Sequence, residues 1–498
     1  MKNRVLIIGI DALDATTLFK HRSELPYFSK LIENTPINTF DGVFPPDSPT
    51  SWASIYTGLN PAKHGIVLFT DPLKRVSTMV SKDVDDTSIR GRTFWDIAGK
   101  MGKKVCIMPH LLGYPVWPVN GVMIGRSGVT PDVQVYPEDI SHEYYMSEFM
   151  WDLKLFPGRN KAGYIKCAQA QLQREQDFAL QLFSKNEWDI FFISFGELDP
   201  IQYSFWNFYD TCDPSYPGEN PYQDVIVDFY KAYDRIIGTF WALKETNTAI
   251  IVVSDHGIGS RPVRLFNVNE FLRRNDLLQL NNKQPNSSKT TTVPRIAKVK
   301  QWLLLLIDRY DLGNYAAKGL KIFPMGKEMF ISAPHIDWNR STAYLTDQSG
   351  IKNYPYGGII VNGQSQGEYE TIRDLIIQEL SHVKDPDSGE KVVKWICKRE
   401  DLYSGEYIDS YPDILFEFNS AYGAGATTPA EIFGESLTHN IAPGCHKQHH
   451  ATFLISDYGD RDVREQGMSL IDVTPTVLDL LGIEWKRFEF DGKSIFIE

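Results

Sequence analysis

Apolar residues fall, through the first half of the chain, in short unbroken runs separated by longer stripes at helical spacing. Val5 to Ile10, Val105 to Met108, Ile190 to Phe195 and Ala249 to Ser254 predict strands. Between them Thr93 to Lys100, Ala162 to Phe183 and Val225 to Thr246 predict helices. Runs that are continuous rather than alternating imply strands buried on both faces. That pattern gives a largely parallel sheet with helices on either side, an α/β protein. Pro45, Pro46 and Pro49 forbid regular helix up to Thr50, while Ser48 and Thr50 offer caps, so a further helix starts there and stops near Gly58. Serine at a helix start is an ordinary cap. It also stands where backbone N–H groups and the helix dipole suit a hydroxyl that must lose its proton and attack an anionic group.

From Leu265 to about Ile360 the strand–helix rhythm fades. Gln279 to Thr292 is polar and reads as a loop. Val293 to Ile322 carries an apolar stripe (Ile296, Val299, Trp302, Leu303, Ile307) beside lysines and arginines, expected to face a core rather than a membrane or partner. We read residues 265–399 as an insertion that caps or shapes a pocket, and 1–264 with 400–498 as the core. Glu368 to His382 predicts a helix, Asp385 to Glu390 a turn, and Val392 to Cys397 a strand. Ala451 to Ser456 is an apolar strand, and Asp472 to Ile483 a helix with Asp and Pro at its start and Gly482 near its end.

Composition narrows the function classes. The 498 residues include 51 basic and 63 acidic side chains, a balance of −12 spread along the chain, which argues against a nucleic-acid-binding surface. A hydrophobic content of 42% supports a substantial core. The run after Arg4 reads as a buried first strand rather than a signal peptide, and Trp302 to Ile307 is too short to span a bilayer. Cys106, Cys167, Cys212, Cys397 and Cys445 show no paired spacing, so neither a zinc knuckle nor a disulfide framework is expected, and the cytoplasm is the expected compartment.

In parallel sheets ligands collect at the carboxyl ends of the strands. Three predicted strands run into acids there: Asp11 after Ile10, Asp199 after Phe195, and Asp255-His256-Gly257 after Ser254. Single acids often cap strands. Three on one rim repel one another unless something cationic lies among them, and oxygen ligands with imidazole suit a divalent metal. Near the C-terminus His439, His446, His449 and His450 put four of the eleven histidines within twelve positions, a second pointer to a metal or phosphate role.

Together these segments resemble the alkaline phosphatase superfamily, and more closely its type I phosphodiesterase/nucleotide pyrophosphatase-like phosphohydrolases. The resemblance rests on Gly9-Ile10-Asp11, on Phe44-Pro45-Pro46 through Ser48 to Thr57-Gly58 and on to His64-Gly65-Ile66, on Ser254-Asp255-His256-Gly257, and on Asp472-Val473-Thr474-Pro475-Thr476. It implies an alkaline-phosphatase-like fold and two divalent metals, zinc first, with manganese or iron as alternatives. One metal would be held by Asp11, Asp255 and His256 together with the nucleophile, which lies ten residues before Gly58 and is therefore Ser48, with Thr50 and Ser51 as competitors. The other would take Asp199 and a late histidine, His446, with His449 and His450 as neighbouring candidates. The family pattern has a third ligand, His, four residues after Asp199; this chain has Tyr203. A phenol with a pKa near 10 is a poor neutral ligand, so the second site is weak, recruits another histidine, or is absent.

The resemblance thus implies a metal-dependent phosphohydrolase, of phosphodiesterase or nucleotide pyrophosphatase type, acting on a small phosphoric ester through a covalent phospho-serine. Three alternatives share the constellation: phosphoryl or sulfuryl transfer, cleavage of a phosphonate or sulfate ester, and a catalytically degraded relative that only binds.

Overall fold

In the computed structural model of the chain the described residues are 4–35, 40–70, 83–154, 156–185, 187–281, 336–348, 353–363, 365–436, 438–464 and 466–497. The amphipathic stretch expected over 293–322 and most of the polar loop before it lie outside them.

A seven-stranded sheet forms the frame, in the order Phe453–Ser456, Thr248–Val253, Arg4–Ile10, Ile190–Phe195, Val105–Met108, Gly121–Arg126 and Val133–Tyr136. The five inner strands are parallel, and the two edge strands run antiparallel to their neighbours. The continuous apolar runs are explained by what covers the two faces. In Arg4–Ile10, Leu6, Ile8 and Ile10 pack into one core with helices Lys161–Lys185, Leu198–Tyr209 and Val225–Leu243. Val5 and Ile7 pack into another, with helices Ser48–Thr57, Phe94–Lys100 and Val473–Leu480. The inner strands are therefore apolar at nearly every position because both their faces meet helices.

The helix beginning near Ser48 runs Ser48–Thr57 and ends on Gly58, whose φ of 68° is the left-handed conformation that closes a helix. Its N-cap is Asp47, which makes no side-chain cap bond, and Ser48 is the first helical residue. Ser48 is thus not the cap that a serine in that position usually is.

A second sheet, antiparallel throughout, joins Ala343–Leu345, Tyr356–Val361, Ile414–Phe418 and Val393–Lys398 in that order. Helix Gln366–Ser381 covers it, burying Ile372, Ile376 and Leu380 against Ile359, Ile414 and Phe416. Tyr354 and Tyr356, at the start of its second strand, belong to an aromatic cluster that also holds Phe44, just before the Ser48 helix. No helix among the described residues is long and apolar enough to cross a membrane.

Candidate active site

Four contiguous parallel strands each deliver a polar residue just beyond the carboxyl end: Asp255 and His256, Asp11, Asp199, and His110. Register explains the convergence, since Gly9 pairs with Val253 and Ile10 with Phe195, so the chain leaves adjacent strands at one level. Ser48 reaches this rim because its helix lies directly on the first strand. A Cβ at Gly9 would come within 2.6 Å of the Trp52 ring and 2.7 Å of Ser194 Cβ. Only glycine allows that approach.

Ser48 Oγ stands 3.2 Å from His256 Nε2 and 3.4 Å from Asp11 Oδ1. His256 Nε2 is also 3.5 Å from Asp11 Oδ1 and 3.3 Å from Asp255 Oδ2. The His256 Nδ1 faces the carbonyl oxygen of Gly257 at 3.0 Å; a carbonyl only accepts, so Nδ1 carries the proton and Nε2 a lone pair. Thr50 and Ser51, the competing hydroxyls, are wholly buried within the helix and make no side-chain hydrogen bond.

The late histidine lies on strand Gly444–Lys447, which pairs with Gly257–Ser260 so that His446 is opposite Ile258. Its ring stacks on that of His256 with centroids 3.7 Å apart, Nδ1 donates to Pro46 O at 2.8 Å, and Nε2 comes within 3.4 Å of Asp199 Oδ1. His449 instead faces Asp41 on the surface, and His450 holds a positive φ of 73° outside both clusters. Tyr203, one turn after Asp199 in helix Leu198–Tyr209, packs its ring against His446 with centroids 5.1 Å apart, and its hydroxyl meets that of Tyr354 at 3.2 Å.

Two groups of potential ligand atoms result, Asp11–Asp255–His256 and Asp199–His256–His446, each drawn together within 4.8 Å. Asp255 Oδ2, Asp199 Oδ1 and His446 Nε2 are buried and make no hydrogen bond. Asp255 Oδ2 is an acceptor without a donor, which a cation in the first group satisfies; Asp199 Oδ1 and His446 Nε2 are two acceptors 3.4 Å apart, which a cation or one proton held between them serves. The residues therefore fit a divalent metal. Desolvation, reinforced by the charge of Asp199, pushes Asp11 up to about 7. Burial raises Asp199 to about 7, with Asp255 adding to the rise, and raises Asp255 to about 6, with Asp11 adding to it. Burial holds His446 down at about 4, so its ring is neutral. Asp47, beside Ser48, is raised by desolvation to about 7 and accepts from Tyr356 at 3.3 Å.

His110 did not enter the sequence reading, although the signal was there: it follows the apolar run Val105 to Met108 as the acids follow theirs. Its Nε2 donates to Asp11 Oδ2 at 2.7 Å, while Ser194 Oγ lies 2.7 Å from Nδ1 and accepts from the His110 backbone N–H at 2.8 Å. Arg261 and Tyr354 were likewise not singled out. The guanidinium of Arg261 lies 5.5 Å from the Tyr203 ring and 4.9 Å from the Tyr354 ring, and donates to Ala442 O at 2.6 Å and Gly444 O at 2.8 Å.

Residues 5–409 match the family described as type I phosphodiesterase/nucleotide pyrophosphatase. The chain belongs to this family. Its fold is that of the alkaline phosphatase superfamily. Phosphonoacetate hydrolase from Sinorhizobium meliloti, solved with phosphonoformate, superposes with a TM-score of 0.54 at 13% identity, covering 96% of each chain. Murine ectonucleotide pyrophosphatase/phosphodiesterase 5, an inactive variant solved with AMP, gives 0.50 at 12% identity, covering 99% of this chain and 98% of that one. The human counterpart gives 0.50 at 11% identity, covering 99% and 100%. At such identities the likeness is one of fold. No curated protein sequence matches the chain.

Proposed function

We propose that the protein is a divalent-metal-dependent hydrolase of a small phosphoric diester or nucleotide-type anhydride, working through a covalent phosphoryl group on Ser48. The observation that carries this reading is the position of Ser48 Oγ, at a helix N-terminus and within 3.5 Å of both Asp11 Oδ1 and His256 Nε2. Family membership supplies the reaction class.

A divalent ion bound by Asp11, Asp255 and His256, with Ser48 beside it, would supply Lewis acidity that lowers the pKa of a bound hydroxyl and offsets phosphoryl charge. The chain does the rest. Ser48 donates its one hydroxyl proton to Asp11 Oδ1, which turns the oxygen that attacks toward the Asp11–Asp255–His256 group before substrate arrives. The first turn of helix Ser48–Thr57 turns its dipole toward the phosphoryl oxygens. As the Ser48 Oγ–P bond forms, Ser48 gives up its proton to water, the bond to the leaving oxygen breaks and that oxygen departs with the first product, leaving the second ester group on phosphorus. Water then displaces Ser48 from phosphorus and returns the free hydroxyl.

The test is hydrolysis of bis(4-nitrophenyl) phosphate by wild type and Ser48→Ala, each supplied in turn with zinc and manganese. Turnover in wild type, a loss on the order of 10³-fold or more in Ser48→Ala, and a Ser48 peptide carrying a 4-nitrophenyl phosphoryl group after acid quench are expected. Ser48→Ala turning over at the wild-type rate would overturn the assignment.

A further inference from the structure

The two ligand groups share His256, and its tautomer decides what that sharing permits. With Nδ1 committed to Gly257 O, only Nε2 has a lone pair, and one lone pair serves one ion. Nε2 stands against Ser48, Asp11 and Asp255. Once it serves there, the other side retains Asp199 Oδ1 and His446 Nε2, 3.4 Å apart. Two protein ligands fall short of the three that hold a catalytic zinc.

Tyr203, one turn after Asp199, has its hydroxyl engaged elsewhere. Tyr203 directs its hydroxyl to Tyr354, and the two rings lie beneath the Arg261 guanidinium. Arg261 in turn clamps the segment that carries His446, through Ala442 O and Gly444 O. Helix and strand are in contact here: a Cβ at Gly444 would come within 2.8 Å of Tyr203 Cα and 2.6 Å of Gln202 O. A fixed guanidinium beside this half of the centre also opposes a second dication close to it.

We propose that this centre is built for one divalent ion, at Asp11, Asp255, His256 and Ser48, and that the Tyr203–Tyr354 hydroxyl pair with Arg261 stands where a second ion would be. The proposal takes over from the proposed function the first group as a metal site. It adds that Asp199 and His446 act as hydrogen-bonding groups toward substrate or water, not as ligands of a tightly held ion.

The experiment counts metal. Chelator-stripped protein is titrated calorimetrically with zinc and, separately, with manganese, then desalted for elemental analysis. Bis(4-nitrophenyl) phosphate hydrolysis is followed on the same samples. Wild type should hold about one ion per chain, as should Tyr203→Phe, because the phenol is not a ligand. Tyr203→His combined with Tyr354→Phe, with an unfolding temperature near that of wild type, should take up a second. Two tightly held ions in wild type, loss of the ion in Tyr203→Phe, or a folded double variant still limited to one would each overturn the proposal. One ion without turnover would sink the hydrolase reading and leave the count standing; two ions with turnover would do the reverse.

Discussion

Asp11 must present one oxygen toward Ser48 and His256 while buried among two other carboxyls, and His110 is the residue that fixes which oxygen that is. Its Nε2–H holds Asp11 Oδ2 at 2.7 Å, leaving Oδ1 for Ser48. Burial keeps this imidazole neutral, its pKa down at about 3, so it donates one proton and, through Nδ1, accepts the Ser194 hydroxyl's. Ser194 and His110 therefore set the rotamer of Asp11 without touching substrate, as outer partners of metal ligands commonly do. His110→Ala should weaken metal affinity by about 10- to 100-fold, and His110→Asn, which keeps a donor, should recover part of that loss. Calorimetric titration of the stripped variants measures both. Equal affinity in His110→Ala and wild type would show that Asp11 needs no such support.

At the scale of elements, the site depends on how closely the Ser48 helix sits on the first strand. Gly9→Ala would drive a methyl against the Trp52 ring and Ser194 Cβ, neither of which has room to retreat in a packed core. Overpacking of this kind costs about 1–3 kcal/mol, so a lower unfolding temperature and at least a ~10-fold fall in kcat are expected, with intact far-UV circular dichroism. Unchanged turnover would mean that the helix can lift without moving Ser48. This contact also shows what the sequence could and could not convey. Strands such as Ile190–Phe195 were legible because burial on both faces makes nearly every residue apolar, and the helix end at Gly58 because a left-handed residue there favours glycine. Gly9, read as part of an apolar run, gave no sign of Trp52, 43 positions away in the chain. The antiparallel sheet between Ala343 and Phe418 was legible only at Val393–Lys398, where an apolar run stood beside a clear turn. Its strand Tyr356–Val361 contains two glycines packed against Phe416 and Pro412, a close approach that masks the usual strand pattern. Asp11, Asp199 and Asp255 stood out because acids after buried strands are conspicuous. His110 obeys the same rule, but a single histidine carries no charge pattern to draw attention to it. Tyr354 and Arg261 acquire meaning only from contacts with Tyr203 that no local spacing encodes.

For the whole molecule, the buried carboxyls of the centre set how stability responds to pH and to metal. Burial raises Asp11, Asp47 and Asp199 to about 7 and Asp255 to about 6. Above about pH 4 the unfolded chain has released these protons while the folded chain still holds them. Each group therefore contributes stability that is present below that pH and is lost as pH rises through its folded value. Buried His64 and His110, held down at about 3, and His446, at about 4, act in the opposite sense. Their neutral rings cost stability as pH falls below the ordinary histidine value of about 6.5. Between about pH 4 and 6.5 the two sets offset one another. Above about 6.5 the histidines are neutral in both states, and the carboxyls whose folded values lie near 7 continue to titrate. In chelator the unfolding temperature should accordingly fall from about pH 6.5 to 8 and level off beyond, each group contributing at most about 1.4 kcal/mol per pH unit. A divalent ion favours the ionised carboxylates of Asp11 and Asp255, so its addition should flatten that slope, and the stabilisation it confers should grow with pH. Thermal unfolding from about pH 5.5 to 8.5, with chelator and with zinc or manganese, measures both effects. A chelated protein that gains stability between about pH 6.5 and 8 would mean that Asp11, Asp199 and Asp255 are ionised together in the folded chain without a metal ion, which their burial and mutual repulsion argue against.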